Sequence, residues 1–242
     1  MTVGRAKRSH HVSEAAYVGR GVHRTAVEGV ALRIFDGTYD EGDTLELPAL
    51  MAELGVSQTV LREAVKVLTA KGLLDARQKR GTFVRPRADW NLLDSDVLRW
   101  KLAAGAPPDF FADVLELRRA IEPAAASLAA EHRTEEDLAA LDGSLTAMRP
   151  AGADPVLAVR ADTAFHSALL SASHNRFFVQ LRRVIVPALV ARGGHGGSGG
   201  QAGPVPAHAE VVRSVREGDG DGAYMAVLEL LDLPAGARGA GA

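Results

Sequence analysis

Apolar residues recur every three or four positions through most of this chain, the spacing that lines one face of an α-helix. The stretch VHRTAVEGVALRIFDGTY, from Val22, places Val27, Val30, Ala31 and Ile34 on one such face. The polar break DEGD separates it from LELPALMAELGVSQTVLREAVKVLTAKGLL, which reads as two shorter helices. In the first, Leu50 and Leu54 point the same way and Gly55 ends the helix. Ser57 is placed to cap the next, since its hydroxyl can accept from a free backbone N–H. That helix is expected to bury Leu61, Val65 and Leu68 and to leave Gln58, Thr59, Arg62 and Lys66 outside, ending at the basic turn and glycine of Lys71-Gly72. The period then changes. LLDARQKRGTFVRP reads as strand, basic turn and returning strand, with Gly81 at the turn and Thr82-Phe83-Val84 coming back.

The pattern after residue 109 is helical throughout. DFFADVLELRRAIEPAAASLAAEH carries Val114, Leu117, Ile121 and Ala125 on one stripe, and Thr134 with Asp137 forms a capping box. Asp154-Pro155 is an N-cap followed by a proline at the first helical position. The helix of NRFFVQLRRVIVPALVAR is expected to kink or end near Pro187, and the glycine-rich run 193–206 to be a flexible loop. AHAEVVRSVREG and DGAYMAVLELLDL read as the last two helices. The organisation expected is a flexible basic arm (1–19), a first domain (20–87), a joint (88–108), an all-helical domain (109–233) and a disordered tail (234–242). Trp90 and Trp100 flank the joint and are expected to be packing anchors between the domains.

Composition narrows the class. With 47% hydrophobic and 24% charged residues, the 242-residue chain has the make-up of a soluble globular protein. It has no cysteine, which excludes disulfides and thiolate metal sites. No apolar run approaches the ~18–20 residues that span a bilayer. The basic N-terminus has no apolar stretch behind it, which predicts no secretory signal and a cytoplasmic protein. The net charge of −2 hides an asymmetry: residues 1–87 hold 14 Lys/Arg against 10 Asp/Glu, and the rest holds 14 against 20. A polyanion partner is therefore expected for the first part only.

Helix, glycine turn, helix with a polar outer face, then a basic hairpin: together these predict a winged helix-turn-helix, within a fold that is otherwise mostly α. Such a helix fits the major groove of duplex DNA, and its N-terminal side chains must reach base edges. Ser57, Gln58, Thr59 and Arg62 supply the groups for that, and the turn Arg77-Gln78-Lys79-Arg80-Gly81 offers cations to phosphate or the minor groove. In the later part, ADTAFHSALL puts Asp162 and His166 four residues apart on one helix face. They read equally as a polar pair tolerated beside a core and as two members of a site.

Residues 42–86 (GDTLELPALMAELGVSQTVLREAVKVLTAKGLLDARQKRGTFVRP) resemble the DNA-binding domain of GntR-superfamily transcription regulators, with LGVS, LREA, KGLL and RGTFV as the matching punctuation. The pieces LELRRAIEPAAASLAA, ADTAFHSALLSASHN and AHAEVVRSVREGDGDGA resemble the all-helical FCD effector domain of the FadR-type subfamily. The joint WNLLDSDVLRW is most similar to that of sugar-acid operon repressors, galactonate regulators especially.

The resemblance implies a homodimer that represses a catabolic operon on double-stranded DNA. A small carboxylate, a sugar acid or hydroxy acid, would release it. It also implies a divalent metal, zinc first among the alternatives, held by Asp162, His166 and His208; the position of the family's fourth ligand is Leu230. Arg118 matches a residue that clamps an effector carboxylate, though an ion pair with Glu116 or Glu122 is equally open. Asn175 matches an asparagine near the cavity, or is a C-terminal cap of the helix before it; His195, among the loop glycines, is read as solvated. Gln58 stands where many relatives have arginine, so the operator is expected to differ from the common half-site, and Gln78 stands where some have a wing histidine. Two other readings are a metal-free effector domain taking a larger acyl ligand and, remotely, a metal-dependent hydrolase.

Overall fold

The computed structural model describes residues 21–151, 154–194 and 204–233. The expected arm, the expected tail and most of the glycine-rich run, His195 included, lie outside the described residues. The chain divides into two compact units, Met1–Trp100 and Lys101–Ala242. No helix among the described residues is long and apolar enough to cross a membrane.

The first unit is built from α1 (Val22–Phe35), α2 (Leu47–Leu54), α3 (Gln58–Ala70) and a hairpin of β1 (Leu74–Arg77) and β2 (Gly81–Val84), paired from Leu74↔Val84 to Arg77↔Gly81. Thr44 bridges to Phe83, so β2 is partnered on both edges. Ala26, Val27, Val30, Ala31 and Ile34 of α1 are buried against Leu50, Leu61 and Leu68. On α3 the fully buried positions are Leu61, Ala64 and Leu68, while Val65 is only half-buried. Ala64 is buried where the apolar pattern had put Val65, which packs against the core only in part.

Two turns depend on glycine. Gly55 ends α2 in the left-handed region (φ 62°). Gly72 (φ 80°) has the Asp89 carbonyl so near that a Cβ would lie 2.7 Å from it.

Part of the expected joint belongs to the first core. Trp90, Val97 and Trp100 are buried there, the last two on α4 (Ser95–Ala103). Phe35 meets the Trp90 ring edge-on at 4.9 Å, Trp100 Nε1 donates to Glu28 Oε2 at 2.6 Å, and Trp90 Nε1 donates to the Arg85 carbonyl at 3.1 Å. Two indoles with satisfied N–H groups bury more area than an exposed linker could leave in water. Lys71 ties the segment down through Asp94 (2.8 Å) and Asp96 (2.9 Å). Burial disfavours its charge, but the two carboxylates hold its pKa above the ordinary value.

The second unit is all helix among the described residues: α5 (Pro108–His132), α6 (Glu135–Ala151), α7 (Pro155–Ala172), α8 (Arg176–Gly194), α9 (Val205–Glu217) and α10 (Gly220–Asp232). Its core gathers Ala126, Ala129, Leu141, Phe165, Leu169, Val211, Val215, Val227 and Leu230. The capping box forms, Thr134 N donating to Asp137 Oδ2 at 2.9 Å and Asp137 N to Thr134 Oγ1 at 3.2 Å. Asp154 caps α7 by accepting from Val156 N and Leu157 N.

Two expectations change. α8 does not end at Pro187 but runs on to Gly194, with Val184, Ile185 and Ala188 buried on either side of the proline. On α5 the buried face runs through Phe110, Val114, Arg118, Glu122 and Ala126, with Leu117 and Ile121 only half-buried. The inward face of α5 thus has an ion pair in its middle.

Candidate functional site

Each unit carries one cluster of polar side chains. In the first, Ser57 caps α3, its Oγ accepting from Val60 N at 3.4 Å, so the exposed helix start presents Gln58, Thr59 and Arg62 together. At the hairpin turn Lys79 takes a left-handed conformation (φ 72°), uncommon for a residue with a Cβ, and is exposed at the tip. Arg80 lies 3.7 Å over the Phe83 ring and donates to the Gly42 carbonyl at 3.0 Å. Arg77 lies 5.5 Å from the same ring and 3.4 Å from Asp75. The flanking cations are therefore braced on Phe83.

In the second unit α5, α7 and α9 converge on five polar side chains. Arg118 and Glu122 come from α5, Asp162 and His166 from α7, and His208 from α9. Glu122 and His208 are fully buried (0%), His166 nearly so (2%), and Arg118 is 6% exposed. Glu122 Oε1 accepts from Arg118 Nε at 2.7 Å, and its Oε2 lies 2.8 Å from His166 Nδ1, off the line of an ideal hydrogen bond. Across the ring, Arg118 Nη2 is 2.8 Å from His166 Nε2. A guanidinium has only donors, so Nε2 must offer a lone pair and the ring proton sits on Nδ1.

His208 repeats the arrangement. Its Nδ1 is 3.2 Å from the Pro204 carbonyl, which can only accept, so Nδ1 carries a proton and, in the neutral ring, Nε2 is bare. That Nε2 is buried without a hydrogen-bond partner, 3.3 Å from Asp162 Oδ1. The same oxygen is 3.7 Å from His166 Nε2. The ring of Phe165 closes one side, edge-on to His208 at 4.6 Å.

Burial alone would raise the pKa of Glu122, but Arg118 and His166 bring it down to about 2. For His166, burial disfavours the charged ring; Glu122, opposed by Arg118 and aided by Asp162, raises its pKa above the ordinary value. With neutral rings the cluster holds two carboxylates and one guanidinium, a net negative charge.

The family model for bacterial regulatory proteins of the gntR family matches residues 23–84, and that for the FCD domain matches residues 113–233. The galactonate operon transcriptional repressor of Escherichia coli (strain K12) is 34% identical over 82% of this chain and 89% of its own length. This chain belongs to the GntR family and carries an FCD domain. The putative L-lactate dehydrogenase operon regulatory protein of the same organism is 33% identical over 78% of this chain and 76% of its own. The solved structure of Lar, which controls the Listeria monocytogenes agr system, shares the fold: TM-score 0.53 at 18% identity, over 88% of this chain and 94% of that one. As a GntR-family protein, the chain is a DNA-binding transcription regulator and not an enzyme.

The FCD residues fit a divalent metal. Asp162, His166 and His208 each offer a ligand atom within 4.8 Å of the others, and in the neutral rings both Nε2 atoms keep a lone pair, that of His166 met by Arg118 Nη2. Leu230 packs in the apolar core and offers nothing to such an ion. Asn175 stands apart from this set: its Oδ1 accepts from Phe177 N at 2.9 Å and Phe178 N at 3.4 Å, capping the start of α8.

Sequence reasoning named Glu122 only as an alternative partner for Arg118 and missed its contact with His166. The usable signal was the i, i+4 repetition, Arg118–Glu122 on one helix and Asp162–His166 on another, on faces otherwise filled with alanine and leucine.

Proposed function

We propose that this GntR-family regulator represses a catabolic operon and is released by a small carboxylate, a sugar acid or hydroxy acid, that binds in the FCD domain beside a divalent metal. Asp162, His166 and His208 would hold the metal, zinc first among zinc, nickel and manganese. Bound there, the ion would supply a Lewis-acidic site for a carboxylate and its α-hydroxyl. The observation that carries the reading is the buried Nε2 of His208, which makes no hydrogen bond although Asp162 Oδ1 lies 3.3 Å away. Arg118 is the effector's carboxylate partner in this reading; a small gap between α5 and α8, lined by Phe111, Val114, Ala188 and Leu189, reaches it. Gln58, Thr59, Arg62 and the wing from Arg77 to Gly81 would meet the operator, and a homodimer would place two copies on a near-palindromic site. The likeness to a galactonate operon repressor and to a putative L-lactate dehydrogenase operon regulator supports the effector class.

A second reading has its own support. Arg118 Nη2 occupies the His166 Nε2 lone pair at 2.8 Å, and Leu230 fills the place of the family's fourth ligand. The guanidinium would then be the cluster's own cation, and the domain would take a larger, acyl-type ligand without metal.

Protein purified without chelator separates the two by elemental analysis and gel shift on the DNA upstream of the adjacent genes. The first reading expects a stoichiometric metal and release by a sugar acid or hydroxy acid, abolished by chelation. Metal-free protein that still releases DNA on adding an acyl ligand supports the second.

A further inference from the structure

We propose that Glu122 is the positioning residue of the metal cluster: with one oxygen on Arg118 and the other on His166, it fixes the ring tautomer whose Nε2 lone pair faces Asp162. The proposal rests on the metal reading above. It starts from a competition. His166 has a carboxylate at each ring nitrogen, Glu122 Oε2 at 2.8 Å from Nδ1 and Asp162 Oδ1 at 3.7 Å from Nε2. A neutral imidazole has one proton to give. If it went to Asp162, the ring would present N–H where a metal needs a lone pair; given to Glu122, it leaves Nε2 a lone pair, which Arg118 Nη2 meets at 2.8 Å and a metal would take over.

The shorter distance favours Glu122, and the fold keeps it short. Glu122 is fully buried on α5, anchored by Arg118 Nε at 2.7 Å and Nη2 at 3.4 Å, so it approaches His166 as a fixed group. The Pro204 carbonyl does the same for His208 Nδ1. Both imidazoles are thus oriented from behind by an acceptor, the arrangement in which an outer group sets a ligand's tautomer. Glu122 supplies no ligand atom itself.

The test uses full-length protein. In metal-free, 15N-histidine-labelled protein, long-range 15N–1H spectra should show His166 protonated on Nδ1 and bare on Nε2. Glu122→Gln keeps the shape but has one acceptor oxygen. Arg118, with donors only, should claim it and turn the amide NH2 toward Nδ1. With Arg118 drawn off Nε2 to the amide oxygen, the ring proton should then move to Nε2, and zinc affinity, read by competition with a chromogenic chelator, should fall about 10- to 100-fold. If that variant folds poorly, Arg118→Met/Glu122→Gln removes the stranded guanidinium and should show the same tautomer change and loss. An unchanged tautomer with zinc affinity within about twofold of wild type overturns the proposal, as does wild-type protein already protonated on Nε2. Wild-type protein that takes up no zinc defeats the metal reading instead, and the tautomer alone then decides the role of Glu122.

Discussion

On α3, Gln58, Thr59 and Arg62 are exposed and stand away from the buried Leu61, Ala64 and Leu68. On α5, Arg118 and Glu122 lie on the buried face, in line with Val114 and Ala126. The first helix keeps its polar chemistry in water for a partner to reach, whereas the second takes a cation and an anion out of water. An exposed polar side chain can be removed with little cost to the fold. A buried one is held by partners that are themselves buried, so removing it strands them. Function and stability are therefore separable in the first unit and entangled in the second.

The largest expected effect tests that entanglement. Glu122→Leu leaves Arg118 without its carboxylate and should destabilise the protein by about 3–5 kcal/mol in urea unfolding. Arg118→Met/Glu122→Leu, which removes both charges, should recover most of the loss. If the single variant costs no more than the double, the buried pair is not what holds α5 to α7.

Acid should act on the same pair. The folded pKa of Glu122 is about 2 against an ordinary 4.5, so its stabilisation is complete above about pH 4.5 and is lost as pH falls toward 2. Glu122→Gln should remove that step from the pH dependence of thermal unfolding. A step that survives in the variant would belong to other carboxylates.

In the first unit the expected losses appear in binding. Arg62→Ala should weaken operator binding by about 1–3 kcal/mol in a gel shift while shifting stability by no more than about 0.5 kcal/mol. Full operator retention would count against α3 as the reading helix. Ser57→Ala, which removes the cap of α3, should cost about 1 kcal/mol of stability. It is the one substitution at this face expected to register in unfolding more than Arg62→Ala does.

Legibility followed the same division. On the first unit's face, the hydroxyl of Ser57, the left-handed turn at Gly55 and the hairpin returning through Phe83 were all readable, because each depends on residues a few positions apart. The stripe on α5 was legible in part: Val114 and Ala125 are buried and Ile121 packs against the cluster of Ala125, Leu170 and Ile185, but counting apolar residues missed that Arg118 and Glu122 share the buried face. Trp90 and Trp100 were read as anchors, but the sequence could not say that Phe35 and Glu28 receive them. Nor could it say that Arg80 would lean on Phe83.

By itself the sequence determined the helical periods, the caps, the hairpin and the family punctuation, since backbone geometry ties each of these to its near neighbours. The tertiary structure alone decided that Glu122 stands behind His166, that Arg118 takes the lone pair in front of it, and that His208 arrives from α9 with a bare nitrogen against Asp162. These contacts join side chains far apart in the chain, and a buried charge declares its partner only when the helices have packed.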